Sequence, residues 1–448
     1  MNPFKRYLEQ LQTPMLAATK ALVSIPSVLD EEDPVYPFGE NVHLALQKAV
    51  DIAADLGFRT GYDGKGAYAW AEIGAGEEML GILGHMDVVP AGNPAKWTSP
   101  PFQAEEREGR LYGRGVEDDK GPMMAALFAT KALMDAGVVF NKRVRFIFGG
   151  DEENHWRGIK RYFAQEESPT FGFTPDATFP LIFAEKHILQ VRLSAAHDGN
   201  LPAMQLGSAF NAVPGEALYT GPRQEALAAK LDELGYAYTR TDAGVLVAGK
   251  AAHASRPEKG VNAITRLAIA LDAVGCQAKT IQFLAQAVGD DYRAQRLFGP
   301  LADEVSGPLS FNVGKLSIDE NSENLCIDMR IPVTAKKEQV AEPLQEAAAR
   351  YGLSYQEHAF KASLYVPLEH PLVKTLLAVY REETGDDDAQ PIAIGGGTYA
   401  RAMPNCVAFG PGFPNSPETA HQVDEFIIID ELYQAMDIYA QAIYKLTR

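Results

Sequence analysis

His85 and Asp87, separated by one position, are residue types that can bind and orient a metal ion. They follow the apolar residues 79–83, which are typical of a buried parallel strand, so we expect both side chains at its carboxyl end. Open α/β sheets place their ligands at that end. Residues i and i+2 of a strand point the same way, which would let Asp87 hydrogen-bond the His85 imidazole and fix the nitrogen that faces a metal. One His-x-Asp pair is weak evidence alone.

Further carboxylates follow two other predicted elements. Asp118 lies in the glycine-containing segment 113–121, just before a predicted helix, and an acidic triplet at 151–153 follows a strand predicted at 144–148. Each has a simple structural alternative, because Asp is favoured at helix starts and acidic triplets are common in solvated loops. Adjacent side chains diverge, so neighbouring carboxylates of the triplet would have different functions, one as a metal ligand and one in proton transfer.

Three more features lie farther along the chain. Asp176 follows Pro175 and is either a ligand or a turn residue. The glycine triplet 395–397 lacks the lysine of a P-loop and would allow close backbone approach to a substrate. His421 alone is equally consistent with a ligand and a structural histidine. Together, these acids and imidazoles predict a two-metal site and hence a metallohydrolase.

The composition is that of an ordinary globular protein, with 448 residues, 46% hydrophobic and 22% charged. The formal charge of −18 argues against nucleic acid or an anionic membrane as a partner, since both require a basic face. No apolar run approaches the ~20 residues of a membrane span, and the N-terminus lacks the apolar core of a signal peptide, so we expect a cytoplasmic protein. The three widely spaced cysteines are predicted to be reduced, buried thiols.

Helical and strand patterns alternate in the first part of the chain, which predicts an α/β fold around one sheet. Residues 46–56 and 124–134 have helical spacing, whereas 144–148 and the apolar run 177–184 are predicted as strands. From about Ile188 the elements become shorter, which predicts an inserted α+β domain.

The predicted architecture is therefore a mixed-sheet α/β catalytic domain formed by residues 1–187 and 368–448, interrupted by an α+β insert at 188–367. The insert exceeds the roughly 100 residues of a typical small domain, so it has room for two lobes.

In its motifs and their order, the sequence resembles the M20 metallopeptidases and, within them, the PepV-like bacterial dipeptidases. The resemblance covers nearly the whole chain. The motifs that carry it are Gly84-His85-Met86-Asp87, Tyr112-Gly113-Arg114-Gly115, Asp151-Glu152-Glu153, Pro175-Asp176-Ala177-Thr178-Phe179-Pro180, Ala252-His253-Ala254 and His421. A set of motifs in this order is highly specific for the family.

The resemblance implies two divalent metal ions. One would be held by His85 and Asp176, the other by Glu153 and His421. Asp118 would bridge both ions and would be followed by a cis peptide bond. Nitrogen and carboxylate ligands favour zinc, with manganese or cobalt as alternatives.

The resemblance also implies roles for residues around the metals. Glu152 would be the general base, and Asp87 would orient the histidine ligand on its strand. His253 of the insert, which would act as a lid, would meet the developing oxyanion after domain closure. Arg330 would bind the free carboxylate of the substrate, and Asn211 would be a polar substrate contact. The last three have structural alternatives: a packing histidine, a surface salt bridge and a turn residue before a proline.

The implied activity is hydrolysis of dipeptides with a free C-terminal carboxylate, by metal-activated water with Glu152 as base. An N-acyl amino acid deacylase or desuccinylase of the same family is an alternative, because the same metals attack any amide. A catalytically silent metal- or peptide-binding protein is an alternative from another class. The expected partner is a small peptide. The large lid resembles the dimer contact of shorter relatives, which implies a monomer.

The sequence departs from the family pattern at three positions. Glu117 stands where a small residue is common, and His155 closely follows the acidic triplet. Either residue would affect metal choice or the pocket. His187 replaces a glycine often found after Ala-Glu-Lys, which bears on the geometry of the hinge.

Overall fold

The computed structural model describes residues 2–448 and divides them into two compact units. Unit 1 contains the chain up to Phe183, together with Val366–Ile392 and Thr398–Arg448. Unit 2 contains Ala184–Tyr365 and Ala393–Gly397. The assignment of these units as catalytic domain and lid stays a prediction.

The α-helices vary from single turns to five-turn segments. In chain order they are α1 (Lys5–Val23), α2 (Glu40–Asp55), α3 (Lys120–Asp135), α4 (Arg157–Gln165), α5 (Gln224–Leu234), α6 (Ala263–Ala273), α7 (Lys279–Gln282), α8 (Gln295–Phe298), α9 (Glu338–Arg350), α10 (Pro371–Thr384) and α11 (Ile429–Leu446). Short 3₁₀ segments occur at Pro94–Lys96, Pro257–Lys259 and Tyr399–Ala402, and a π-helical segment at Phe283–Val288.

The strands are mostly short. Those before and at the start of the insert are β1 (Arg59–Tyr62), β2 (Tyr68–Ile73), β3 (Met79–His85), β4 (Glu105–Arg107), β5 (Arg110–Tyr112), β6 (Arg143–Gly149), β7 (Phe171–Thr174), β8 (Ala177–Thr178) and β9 (Ile182–Glu185). Those within the insert are β10 (His187–Ala196), β11 (Met204–Leu206), β12 (Ala212–Val213), β13 (Glu216–Tyr219), β14 (Tyr238–Thr241), β15 (Gly244–Ala248), β16 (Ala252–His253), β17 (Ala302–Asp303), β18 (Gly307–Pro308), β19 (Ser310–Ile318), β20 (Ser322–Ile331), β21 (Ser354–Lys361) and β22 (Leu364–Tyr365). The last are β23 (Ile392–Ile394), β24 (Cys406–Ala408), β25 (Pro411–Gly412) and β26 (Phe426–Ile428).

The main sheet of unit 1 is mixed, with strands paired in the order β1-β2-β6-β3-β7-β24-β9. Strand β3 is parallel to β6 and β7, and β24 is parallel to β7. Strands β2 and β9 are antiparallel to their neighbours β6 and β24. Every residue of β3 is buried, as expected for a central parallel strand covered on both faces. The predicted mixed-sheet α/β fold is confirmed.

The sheet register brings the candidate site residues to one edge. His85, at the end of β3, lies opposite Gly149, at the end of β6, and Ile82 lies opposite Phe173 of β7. The carboxyl ends of these three strands are therefore neighbours. The residues that follow them in sequence, the acidic triplet 151–153 and Asp176, emerge at the same edge as His85.

Gly84 allows α3 to pack closely on β3. A Cβ atom at this position would lie 2.2 Å from Oδ2 of Asp119 and 2.3 Å from the side chain of Met123. Both distances are far below van der Waals contact, so a larger residue would push the start of α3 away from the strand. The close approach sets the position of the loop that carries Asp118.

The segment 177–184, predicted as one strand, is broken in the structure. Strand β8 pairs with β25, and β9 pairs with β24, so the two halves have different partners. Phe179 and Pro180 lie between them. Proline has no N–H to donate to a strand ladder, which explains the interruption that the apolar pattern concealed.

Unit 2 is built on an antiparallel sheet with the order β11-β19-β20-β10-β21. A second sheet, β13-β15-β14, shares a hydrophobic core with it, including Leu189 and Ile327 from the first sheet and Val245 from the second. Helices α5, α6, α7 and α9 also contribute to this core. The predicted α+β composition of the insert is confirmed, and one core joins its two sheets.

Two compositional expectations bear on the surface and the core. None of the helices in residues 2–448 has the length and apolarity required to cross a membrane. The expected cytoplasmic location stays a prediction.

Cys276, Cys326 and Cys406 are free and buried, as predicted.

A buried ion pair ties β2 to β6, the strand that leads to the acidic triplet. Glu72 and Arg145 lie opposite each other, with Nε of Arg145 2.7 Å from Oε2 of Glu72. The guanidinium also lies over the Trp70 ring, 4.5 Å from its centroid. Both charged side chains are almost fully buried, so each depends on its partner.

We expect Glu72→Ala to lower the free energy of unfolding by about 3–5 kcal/mol, because it leaves the buried Arg145 without its main counter-charge. Urea unfolding followed by circular dichroism measures this loss. Glu77→Ala, at an exposed position after β2, is the control and should stay within about 0.5 kcal/mol of wild type. Equal effects from the two substitutions would contradict a stabilising role for the pair.

Candidate active site

His85 is held at the end of β3 with its ring fully buried. Its Nδ1 lies 2.9 Å from the main-chain oxygen of Asp87 and 3.6 Å from Oδ1 of the same residue. An Nδ1–H that donates to this carbonyl leaves the lone pair on Nε2. The sequence pattern predicted the Asp87 carboxylate for this contact, but the nearest acceptor is its main chain.

The Asp87 carboxylate instead holds the acidic triplet. Its two oxygens accept hydrogen bonds from the main-chain N–H groups of Glu152, at 3.1 Å, and Glu153, at 3.2 Å. Asp87 is fully buried, and these bonds satisfy its oxygens. Asp87 thus fixes the backbone from which the Glu152 and Glu153 side chains project.

Asp118 is the centre of the cluster. Its Oδ1 lies 2.8 Å from Nε2 of His85, and its Oδ2 lies 2.9 Å from Nε2 of His421. Asp176 Oδ2 is 3.8 Å from Nε2 of His85, and Glu153 Oε2 is 3.1 Å from Nε2 of His421. The carboxyl ends of three strands, β3, β6 and β7, supply His85, Glu153 and Asp176, while the loops before α3 and β26 supply Asp118 and His421.

The five residues form two groups with metal-ligand chemistry. One consists of His85, Asp118 and Asp176, the other of Asp118, Glu153 and His421, and within each group one donor atom per residue lies within 4.8 Å of the others. In the part of the chain that the structure describes, the ion pairs of these carboxylates involve only the two histidines. Clustered carboxylates without lysine or arginine need another positive charge, and divalent cations fit this nitrogen and oxygen donor set.

Desolvation and crowding disfavour the negative charges of the cluster. Burial raises the pKa of Asp176 to about 8, and the Asp118 carboxylate adds to this shift. Burial likewise raises the pKa of Glu152 well above its usual range. For Asp118, hydrogen bonds from His421 and His85 outweigh burial and hold its pKa below the usual range. Asp118 therefore stays ionised most readily, which suits a shared ligand.

The acidic triplet divides into residues with different contacts. Asp151 is buried and accepts hydrogen bonds from Nε of Arg157, at 2.8 Å, and from its main-chain N–H, at 3.0 Å. Glu153 faces His421, whereas Glu152 has no ion pair among the described residues 2–448. The sequence could not show which acid of the triplet has a structural contact, because the partner of Asp151, Arg157, lies beyond the triplet in the next helix.

Glu425, which the sequence analysis did not single out, holds the loop that carries Asp118. Its Oε1 accepts hydrogen bonds from the N–H groups of Gly115, at 2.9 Å, and Glu117, at 3.0 Å, with that of Asp118 at 3.4 Å. Its Oε2 pairs with Arg114. The carboxylate is fully buried, yet no local sequence pattern relates residue 425 to residues 114–118.

His421 adopts a backbone conformation that is uncommon for residues other than glycine. Its φ is +64°, in the left-handed region favoured by glycine, while its side chain is 52% exposed. A main-chain hydrogen bond from Gln422 to Thr419, at 3.0 Å, closes the turn around it. Such strain persists only where surrounding contacts impose it, and it is common at functional sites.

Two predicted substrate residues lie on one small sheet of unit 2. His253 ends β16, and its register partner is Ala212 of β12, the residue after Asn211. The main-chain oxygen of Asn211 accepts a hydrogen bond from Ala254, at 2.9 Å. The His253 Nδ1 lies 2.7 Å from the hydroxyl of Ser255. The structure therefore brings Asn211 and His253 together within unit 2, with both side chains exposed.

Arg330 is buried on β20 and is already strongly bonded. Its Nε lies 2.5 Å from Oδ1 of Asp328, its Nη2 lies 3.1 Å from Oδ2, and its Nη1 donates to the Gly395 carbonyl at 2.7 Å. The Gln190 amide also donates to Asp328, at 2.8 Å. The surface salt bridge considered from the sequence is wrong in location, because the pair is internal to unit 2 and 3% exposed at Arg330.

Comparison with known sequences identifies extensive similarity. A model of the family described as Peptidase family M20/M25/M40 matches residues 81–445. The chain is 39% identical to the Bacillus subtilis (strain 168) protein named "Putative dipeptidase YtjP", with 97% of each chain covered. It is 34% identical to the "Beta-Ala-Xaa dipeptidase" of Lactobacillus delbrueckii subsp. lactis, over 99% of this chain and 98% of the relative.

Solved structures share the fold at lower sequence identity. The aminoacylhistidine dipeptidase from Vibrio alginolyticus has a TM-score of 0.61 and 15% identity, covering 97% of this chain and 96% of that one. Human carnosine dipeptidase 1 has a TM-score of 0.58 and 15% identity, covering 99% and 98%. At these identities the comparison concerns the fold alone.

Lys120, two residues after Asp118, is a fully buried amine at the start of α3. Its Nζ donates to the main-chain oxygens of Leu22, at 3.0 Å, and Ile25, at 2.9 Å. Burial lowers the pKa of Lys120 from its ordinary 10.5 to about 7. Between these values the unfolded chain holds the extra proton, so the folded state gains stability as pH rises from about 7 to 10.5 and loses it as pH falls.

We expect this gain to disappear in Lys120→Met. In metal-free protein with chelator present, the stability of wild type relative to the variant should rise by up to about 1.4 kcal/mol per pH unit above pH 7. Urea unfolding at pH 7, 8 and 9 measures the difference. The lost hydrogen bonds to the main-chain oxygens of Leu22 and Ile25 shift the variant equally at each pH, so a pH-independent difference would rule out titration of Lys120.

Proposed function

Because this chain belongs to peptidase family M20/M25/M40, we propose that it is a dipeptidase acting on short peptides with a free C-terminal carboxylate. Membership of the family makes it a metallopeptidase. The observation that carries the proposal is the pair of donor groups that share Asp118 beside Glu152, a carboxylate without an ion pair among the described residues. The dipeptidase names of the full-length relatives support the substrate class.

His85 and Asp176 would hold one divalent cation, Glu153 and His421 the other, and Asp118 both. Bound there, two such ions would lower the pKa of water and polarise the scissile carbonyl, which is the chemistry that amide hydrolysis needs. The mixed nitrogen and oxygen donors favour zinc, and manganese or cobalt suits the same set.

Glu152 is the proposed general base. A raised pKa brings a carboxylate closer to neutral, where it can both accept a proton from water and release it again. Glu152 would take the proton as water attacks and return it to the leaving amine. Asp87 supports this role because its carboxylate accepts a hydrogen bond from the main-chain N–H of Glu152 and so fixes the backbone there. A base held in this way loses little freedom when the substrate binds.

Residues of unit 2 are proposed to bind the substrate. His253 would donate to the oxygen on which negative charge develops. Arg330 would bind the C-terminal carboxylate. Three of its five N–H groups are committed to Asp328 and Gly395, which fixes the guanidinium plane and leaves two for a substrate. Asn211 would add a polar contact beside His253.

A substrate panel tests this assignment. With zinc, manganese or cobalt added, we expect hydrolysis of free dipeptides, and a kcat/KM about 10- to 100-fold lower for the same dipeptides with an amidated C-terminus. The loss reflects a charge-assisted contact to the carboxylate. Changing the substrate avoids removing Arg330, which would leave Asp328 buried without its partner. Preferential hydrolysis of N-acetyl or N-succinyl amino acids would favour a deacylase instead.

Glu152→Gln should retain both metal ions but lower kcat by at least about 100-fold, because the amide keeps the shape of the side chain but cannot accept the proton. Steady-state kinetics and metal analysis of the same preparation measure both quantities. Asn154→Ala, an exposed neighbour, is the control and should keep wild-type activity. Near-normal turnover by Glu152→Gln would assign the base to another residue.

A further inference from the structure

Two consecutive carboxylates, Glu117 and Asp118, contact different parts of the site. Asp118 faces His85 and His421, whereas Oε2 of Glu117 accepts a hydrogen bond from the N–H of Thr419, at 2.9 Å. The Thr419 hydroxyl lies 2.5 Å from the same oxygen. We infer that Glu117 is a positioning residue, which clamps the loop bearing His421 and so sets the geometry of the donor group Asp118, Glu153 and His421.

Thr419 is well placed to be the anchor of this loop, defined here as Glu418–Phe426 and called the His421 loop. Its hydroxyl lies 2.8 Å from the main-chain oxygen of Phe426 and accepts a hydrogen bond from the Phe426 N–H, at 3.0 Å. Its main-chain oxygen accepts from Gln422. Both ends of the loop therefore meet at Thr419. A displacement of this residue would change the position of His421, which lies between the two ends.

The clamp is reciprocal. Glu117 extends its carboxylate from residues 113–118 to the His421 loop, while Glu425, within that loop, extends its carboxylate back to the N–H groups of Gly115 and Glu117. The two contacts run in opposite directions between the same two segments. Together they fix the separation of Asp118 from His421, although these residues lie far apart in the sequence.

The two donor groups differ in how far they depend on the Glu117 contact for their position. His85 belongs to the buried strand β3, and Asp176 lies two residues after β7, so the sheet itself positions both. His421 instead lies in a loop, with a half-exposed side chain and a left-handed backbone. Loss of the Glu117 contact should therefore affect one of the two metal ions much more than the other.

The inference rests on the proposed two-metal function, and binding of zinc alone to metal-free protein tests it. Residues that orient metal ligands typically change metal affinity by about 10- to 100-fold. In Glu117→Ala we expect a loss of this size for one zinc ion, with the affinity of the other retained. Competition with a chromophoric chelator measures both affinities. Glu117→Gln keeps one acceptor oxygen for the Thr419 N–H and should lose less.

Glu418→Ala is the matched control, because it removes an exposed glutamate side chain from the same loop and keeps the main-chain oxygen of residue 418, which accepts a hydrogen bond from the Gln422 amide. It should bind both zinc ions like wild type. A second check combines Glu117→Ala with His421→Ala. If Glu117 acts through His421, the double variant should bind zinc no more weakly than His421→Ala alone.

The possible failures are distinguishable. Unchanged affinity for both zinc ions in Glu117→Ala would overturn the clamp and leave the proposed function intact. Equal weakening of both ions, together with a lower Tm of the metal-free variant, would assign Glu117 to general folding and also overturn it. Binding of fewer than two zinc ions by wild type would overturn the proposed function, and the clamp with it.

Discussion

Mutual repulsion of buried carboxylates is the constraint on which the rest of the site depends. Asp118, Glu153 and Asp176 converge on two imidazoles, and burial makes their negative charges costly. A flexible chain would relieve the repulsion by moving these groups apart. They stay together because Glu153 and Asp176 follow strands that end at one sheet edge, and Asp118 precedes α3, which packs closely on β3. The imidazole of His421 is held beside them by a loop tied at its base.

Carboxylates also have a second function around the site, which is to hold the main chain. Asp87 and Glu425 do not belong to the two donor groups, and their oxygens hold main-chain N–H groups instead. Each fixes the backbone of residues whose side chains face the cluster: Glu152 and Glu153 in one case, Asp118 in the other. The residues of the two donor groups are therefore supported by Asp87 and Glu425, whose oxygens accept hydrogen bonds from main-chain N–H groups. Glu425 in addition pairs with Arg114.

The sequence predicted those features that depend on local pattern. Strand β3 and the position of His85 at its end follow from an apolar run of the right length. Features that depend on distant contacts were missed or misjudged. Glu425 reaches residues far earlier in the chain, Asp151 is committed to the next helix, and residues 177–184 divide between two strand partners. The hydrophobic periodicity of the sequence does not indicate such contacts, because they form only when the sheet and loops have assembled.

The discontinuity of unit 1 has a consequence for synthesis of the protein. Strand β24 lies between β7 and β9 in the sheet, although it is made after the whole of unit 2. His421 and Glu425 follow later still. A nascent chain can complete unit 2 once Gly397 has emerged, while the sheet of unit 1 still has a gap and one of the two imidazoles of the candidate site is missing. The growing polypeptide therefore lacks one of the two donor groups until the segment that follows unit 2 leaves the ribosome.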